Sequence, residues 1–268
     1  MVSAQLCVVG GGNMGEVLLR GVLRAGILPA AAVTLVEPVE ARRKKLAGEL
    51  GVAAVDHVGR AGGAQRYVLA VKPQDIDIVL PAIRASMGEG ALVISIAAAI
   101  STEYLHRALG PSARIVRAMP NTPMLVGAGC TGLTAGPGAT ESDLNFAQRL
   151  FSAGGAVHLI DESLMDALTA ISGCGPAYFF YIVEALVAAG VAEGLTAQMA
   201  TDLASEACAG AAALMAASGE SPATLRAKVT SPGGVTQAAI EALDHAGVRD
   251  AFARAILAAV ARNRQLGK

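Results

Sequence analysis

The feature that most constrains this chain lies at its start. Residues 5–9 form a short apolar run, Gly10-Gly11-Gly12-Asn13-Met14-Gly15 follows at once, and an amphipathic helical pattern then reaches about Ala25. Strand, tight glycine turn and helix, in that order, is the setting in which G-x-G-x-x-G binds a dinucleotide. Gly10 allows the turn, Gly12 lets a pyrophosphate approach the backbone, and Gly15 lets the helix pack on the strand. A second apolar run, 32–36, ends in Glu37. That acid stands roughly 20 residues beyond the last glycine, where a carboxylate accepts hydrogen bonds from ribose hydroxyls. Gly11, Asn13 and Met14 complete the candidate cofactor turn, although Met14 also suits a core position, and Glu37 also reads as a solvated strand end.

The alternation of strand and helix continues to residue 160. Residues 67–71 read as a buried strand running through Ala70 and Val71 into Lys72 and Pro73. Residues 92–96 read as another, passing from Ile96 into Ala97, Ala98 and Ala99; Ser101 can cap the helix after it, with Glu103 in the first turn. Residues 114–119 end in Pro120-Asn121-Thr122-Pro123, and 127–134 and 156–160 read as closing strands around a helix at 141–152. In a doubly wound parallel sheet such strand ends share the edge that holds the ligand. Ala70, Val71, Lys72, Pro73, Ile96, Ala97, Ala98 and Asn121 therefore join the cofactor candidates. Lys72 also reads as a surface lysine and Asn121 as a turn residue.

From Asp161 onward helix follows helix. Between 176 and 201 the only charges are Glu184 and Glu193, and 207–217 carry none. A helix without a polar face must be buried all round, and a domain this small covers too little of its own surface to do that. The expected fold is α/β: an N-terminal Rossmann-type doubly wound sheet (1–160) followed by an all-α dimerisation domain (161–268) that makes an obligate homodimer. With 53% hydrophobic and 16% charged residues, the composition agrees and excludes a disordered chain. A net charge of −1 gives no pull toward nucleic acid or a membrane surface. The apolar stretch 91–100 is shorter than the about 20 residues that span a bilayer. Cys7, Cys130, Cys174 and Cys208 lie far apart, and no histidines are spaced as ligands. We expect no metal site and no disulfide, in a reducing cytoplasm.

Ser231-Pro232-Gly233-Gly234-Val235-Thr236 separates two further helical patterns, Pro222–Lys228 and Val235–His245. Free N–H groups and the positive dipole end at such a helix start suit a small anion, for instance a carboxylate; the stretch also reads as an ordinary capped turn. The helical half offers only Lys228, Lys268 and His245 beyond its acids and arginines. A 3-hydroxyacid dehydrogenase of this layout must move a proton on oxygen, usually with a lysine. An imine can arrive protonated and needs only a hydride at carbon, so that binding and orientation supply most of the rate. A hydroxyacid dehydrogenase-like reductase and a non-catalytic NAD(P)-sensing dimer stand beside the imine reductase as alternatives.

The motifs GGGNMG, LAVKPQDI (69–76), SIAA (95–98), VRAMPNTP (116–123), SGCGPAYFF (172–180) and VTSPGG (229–234) followed by Thr236 resemble those of the pyrroline-5-carboxylate reductases, over essentially the whole chain. The resemblance implies reduction of the cyclic imino acid 1-pyrroline-5-carboxylate to L-proline with NADPH or NADH. It places Gly10 to Met14, Ala70 to Pro73 and Ile96 to Ala98 along the cofactor. Ser231, Gly233, Gly234, Val235 and Thr236 would hold the substrate carboxylate and imine nitrogen, with Thr236 as the catalytic candidate and Glu162 near the substrate. It also implies an interlocked dimer in which the substrate loop of one protomer faces the cofactor of the other, and in many members a pentamer of dimers. The chain departs from the family pattern at four places: SPGGTT reads SPGGVT, AAG reads Ala97-Ala98-Ala99 (which would tighten the turn near the nicotinamide), SGSGPAY carries Cys174, and Val58 replaces an asparagine near the adenosine. Glu37 would repel a 2′-phosphate, which Arg42 and Arg43 could offset, so NADH use is expected to be at least comparable with NADPH.

Overall fold

The computed structural model describes residues 4–267. Apolar runs and glycine turns give the expected alternation: β1 (Leu6–Val9), α1 (Asn13–Arg24), β2 (Val33–Val36), α2 (Glu40–Leu50), β3 (Ala53–Val55), β4 (Arg66–Leu69), α3 (Ile76–Ser86), β5 (Leu92–Ser95), α4 (Thr102–Leu109), β6 (Arg114–Met119), β7 (Gly129–Ala135), α5 (Glu141–Ser152) and β8 (Gly155–Leu159). One sheet runs in the order β3-β2-β1-β4-β5-β6-β7-β8. The first six strands are parallel, and their order reverses between β1 and β4, the switch point where doubly wound sheets bind ligands. β3 is three residues at the outer edge with its first residue exposed, so it lacks the apolar run that betrays the others.

β7 departs from the parallel pattern and pairs antiparallel with β6. The link between them is a short 3-10 turn, Thr122–Val126. A parallel return needs a crossover of about a dozen residues or more, which this link does not provide. β8 pairs parallel with β7, after the crossover through α5.

Most strands carry apolar residues on both faces because helices cover both. On one face Leu6, Val8 and Ile94 pack with Leu18, Leu19 and Val22 of α1 and Leu150 and Phe151 of α5. On the other Cys7, Val9 and Tyr67 pack with Ile76, Leu80 and Ile83 of α3 and Leu105 of α4. Cys7 has no exposed surface, and burial pushes its thiol up to about 12.

The helical elements are α6 (Met165–Leu168), a π-turn at Thr169–Gly173, α7 (Gly175–Ala192), α8 (Ala197–Ser218), α9 (Pro222–Lys228), α10 (Val235–His245) and α11 (Val248–Leu266). The change from strands to helices begins after β8. Internal packing groups the chain differently: one compact unit runs to Gly173 and resumes at Val260, and the other is Cys174–Ala259. In the first unit Asp166 of α6 accepts from Asn263 Nδ2 at 2.7 Å and Arg264 Nε at 3.1 Å, tying the end of α11 down. In the second, α7 and α8 pack together, yet Gly175, Ala200 and Ala204 are the residues they bury. Phe180, Tyr181, Leu203 and Leu214 stay half-exposed or more. The apolar run to weigh against a membrane is thus 162–192, not 91–100: Glu162–Ala192 is long and apolar enough to cross one by length and composition, and 6% of its most apolar window is buried within one copy.

Candidate active site

The carboxyl edge of the sheet assembles the cofactor candidates in a row. Each residue just beyond a strand extends the ladder by one bond. Ile96 N–H donates to Leu69 O (3.1 Å), Ala70 to Val9 O (2.8 Å), Gly10 to Val36 O (2.8 Å) and Glu37 to Val55 O (2.9 Å). The loops after β5, β4, β1 and β2 therefore start side by side.

The glycines at this edge are used as their spacing requires. Gly10 has φ +105°, and a Cβ there would lie 2.7 Å from Ala70 O. A Cβ on Gly15 would lie 2.0 Å from Gly10 O, so helix and strand meet backbone to backbone. A Cβ on Gly12 would meet nothing within 4 Å. Gly12 is also the N-cap of α1, and no side chain caps that helix. The first-turn N–H groups thus open on free space next to Asn13 and Met14, a cradle that fits a pyrophosphate.

Glu37 is buried, and its carboxylate is bound on both oxygens. Gly11 N–H donates to Oε2 and Val39 N–H to Oε1, each at 2.9 Å. Arg42 Nη1 lies 3.9 Å from Oε2, whereas Arg43 turns its guanidinium to the carbonyls of Glu37 (2.7 Å) and Pro38 (3.0 Å). A fixed negative charge therefore stands beside Gly11, with the half-exposed Arg42 as the nearby cation.

Lys72 is exposed and leads into the 3-10 turn Pro73–Asp75, with Val71 and Pro73 half-buried. In the next loop Ala97 N–H donates to Ser95 Oγ at 3.2 Å, Ile96 and Ala98 stay half-buried, and Ala99 takes φ +62°. Ala99 thus adopts the left-handed conformation that glycine enters freely. The turn keeps that geometry and places the strain on one alanine.

Asn121 spends its amide on the protein. Its Oδ1 accepts from Cys130 N–H at 2.8 Å and its Nδ2 donates to Ser172 O at 3.1 Å. Glu162 is likewise engaged: Oε1 accepts from Thr102 N–H (2.8 Å) and from Arg117 Nη1 (3.1 Å), and Oε2 meets the Thr102 hydroxyl.

In the helical unit, Gly233 has φ +71° and its N–H donates to Gln237 Oε1 at 2.7 Å. Gly234 N–H donates to Ser231 O at 3.0 Å, and Gly234 is the N-cap of α10, with no side-chain cap. A Cβ on Gly234 would lie 2.3 Å from Ser231 Oγ, so only glycine lets that hydroxyl come so close. Val235 is 90% exposed and Thr236 half-buried, both in the uncapped first turn. Ser231, Gly233, Gly234, Val235 and Thr236 are thus gathered around one uncapped helix start, the kind of setting that suits an anion.

Two family models match the chain. One, described as pyrroline-5-carboxylate reductase dimerisation, covers residues 162–266; the other, described as NADP oxidoreductase coenzyme F420-dependent, covers 5–99. The pyrroline-5-carboxylate reductase of Mycobacterium leprae is 39% identical over 98% of this chain and 97% of its own. The chain belongs to the pyrroline-5-carboxylate reductase family. Among solved structures, the reductase of Coxiella burnetii matches with a TM-score of 0.92 at 35% identity over 99% of both chains. The Plasmodium falciparum reductase, with NADP bound, matches with 0.86 at 28% identity over the full length of both. The fold is that of the family, an N-terminal Rossmann-like sheet and a C-terminal helical dimerisation domain, and the cofactor class is NAD(P)H. The exposed apolar faces of α7 and α8 lie inside the dimerisation match.

Gln237 and Thr102, which hold candidate residues in their own units, carry no signal in the local sequence. Gln237 holds the loop glycine from the helix that follows, and Thr102 and Arg117 meet Glu162 from 60 and 45 residues away. Arg117 lies inside the VRAMPNTP motif, which could have flagged it.

Proposed function

We propose that this protein reduces the imine carbon of 1-pyrroline-5-carboxylate to give L-proline, the last step of proline biosynthesis, with NADH or NADPH as hydride donor. The observation that carries the reading is the uncapped start of α10, whose free N–H groups at Val235 and Thr236 follow a Ser-Pro-Gly-Gly turn. These groups bind the substrate carboxylate, Ser231 and Gly233 shape the loop around it, and the Thr236 hydroxyl hydrogen-bonds the ring nitrogen. The bound cofactor supplies the hydride. Gly10, Gly11, Gly12, Asn13 and Met14 cradle its pyrophosphate, while the loops at Ala70 to Pro73 and Ile96 to Ala98 orient its reactive end. No side chain is asked to move a proton on oxygen, which suits a substrate already protonated on nitrogen.

Thr236→Ala is expected to lower kcat/KM for 1-pyrroline-5-carboxylate at least tenfold, about 1.4 kcal/mol, read from the loss of NAD(P)H absorbance. Unchanged kinetics would remove Thr236 from the mechanism. NADH use at least comparable with NADPH is expected, because the buried Glu37 carboxylate beside the glycine turn would repel a 2′-phosphate. The ratio of kcat/KM for the two cofactors checks this, and a hundredfold preference for NADPH overturns it. The same reading takes the working form to be an obligate homodimer, assembled as a pentamer of dimers in the cytoplasm, with neither nucleic acid nor membrane as partner. Sedimentation equilibrium checks the assembly.

A further inference from the structure

The Glu162 carboxylate joins three separate pieces of the sheet unit. It sits at the start of α4, taking the Thr102 N–H and hydroxyl; it takes Arg117 Nη1 from β6; and it belongs to the chain leaving β8. That departing chain is itself pinned, because the Thr134 hydroxyl donates to Ile160 O. Arg117 stands between Ser95 on β5 and Thr134 on β7 in the ladder, so the cluster lies at the strand end from which Ile96, Ala97 and Ala98 emerge. The six-residue loop 96–101 is thereby held at both ends. Ser95 Oγ receives Ala97 N–H at one end, and Glu162 receives Thr102 N–H at the other.

As a purely stabilising device this cluster is poor. Arg117 is 5% exposed, and its Nη2 is buried with no partner among the described residues. Burying a guanidinium with one donor unpaired offsets much of what its ion pair contributes. Its geometric effect is specific, because a carboxylate at a helix start fixes where the preceding loop must end.

We infer that the Glu162–Arg117 pair is a positioning device for the cofactor loop, holding Ile96, Ala97 and Ala98 through Thr102, and that Glu162 does not contact substrate. The inference rests on the reductase reading for the role of that loop. Its carboxylate already takes three donors from the protein, all of them within the sheet unit, so its hydrogen bonding goes to holding that loop. Glu162→Gln keeps the side-chain shape and removes the charge that faces Arg117.

The test separates the two readings by measuring cofactor binding without substrate. Fluorescence titration of the intact dimer with NADPH and NADH should show dissociation constants at least tenfold higher for Glu162→Gln, with faster amide exchange confined to residues 96–102. Arg117→Lys, which keeps a cation, should recover part of the loss. In turnover the KM for 1-pyrroline-5-carboxylate should stay within twofold of the parent value. A substrate-contacting Glu162 would give the opposite split, with the imine KM raised and the cofactor constant unchanged, and that result overturns the inference. Unchanged binding and exchange overturn it too. Should Glu162→Gln fail to fold, Thr102→Val removes only the hydroxyl contact and should weaken cofactor binding at least twofold; an unchanged constant there is equally fatal. Parent protein that binds NADPH yet leaves its absorbance unchanged with the imine would instead refute the reductase reading, and would leave the binding comparison intact.

Discussion

In the sheet unit Leu6, Leu18, Leu92 and Ile94 are at most 1% exposed, whereas in the helical unit Phe180 and Tyr181 are 65% and 73% exposed in a single copy. Both regions are rich in apolar side chains. The sheet can close over its own because helices arrive on both faces. The helices of the second unit have little of their own chain to lie against. The sheet unit therefore draws its stability from within one chain. The helical unit leaves much apolar surface for self-association, and any stability gained that way would depend on concentration.

The sharpest way to break this comparison is a charge on the exposed helical face. Leu214, 52% exposed on α8, becomes costly to bury once it is glutamate. Leu214→Glu is expected to raise the dimer dissociation constant at least a hundredfold, about 2.7 kcal/mol, by sedimentation or light scattering. A dimer of unchanged affinity would show that this face is not covered by a partner.

The next effect belongs to the sheet unit alone. The Cys7 thiol is held protonated by burial up to about pH 12, against 9.0 for a free thiol. Above about pH 9 the unfolded chain releases this proton and the folded chain does not. The stabilisation is complete below pH 9 and falls by about 1.4 kcal/mol per pH unit as the pH rises toward 12. Tyr67, whose phenol is also pushed up by burial, adds to the slope at the upper end. Urea melts between pH 8 and 11 should show the decline, and Cys7→Val should flatten it. A parallel decline in Cys7→Val would place the loss elsewhere.

The smallest effect is local. Ala99 pays for a left-handed backbone that costs a non-glycine residue about 1–2 kcal/mol, partly balanced by the greater freedom glycine has when unfolded. Ala99→Gly is therefore expected to stabilise the sheet unit by about 1 kcal/mol in denaturant melts. Destabilisation would mean that the alanine methyl, 6% exposed as a residue, contributes more packing than the strain removes.

The sheet and the glycine cradle were legible in the sequence because both are written locally. Strands buried on two faces must be continuous apolar runs, and Gly10, Gly12 and Gly15 sit at spacings set by the turn itself. The start of α10 was legible for the same reason, with Ser231 to Thr236 contiguous. β3 was not, since an edge strand of three residues needs no apolar run. The antiparallel turn of β7 follows from a link too short for a crossover, which a list of strands does not reveal. The occupations of Asn121 and Glu162 were hidden as well, because their partners Ser172 and Arg117 come from 51 and 45 residues away. A side chain's neighbours across a fold leave no mark beside it in the chain.

Cys7 also gives the protein a built-in clock. Its sulfur is sealed in the middle of the sheet, and a thiol that is both covered and protonated reacts with alkylating reagents only while the strand around it is open. The rate at which mass spectrometry finds this one residue modified, followed at increasing urea, would time the opening of the parallel sheet without a dye or an engineered probe.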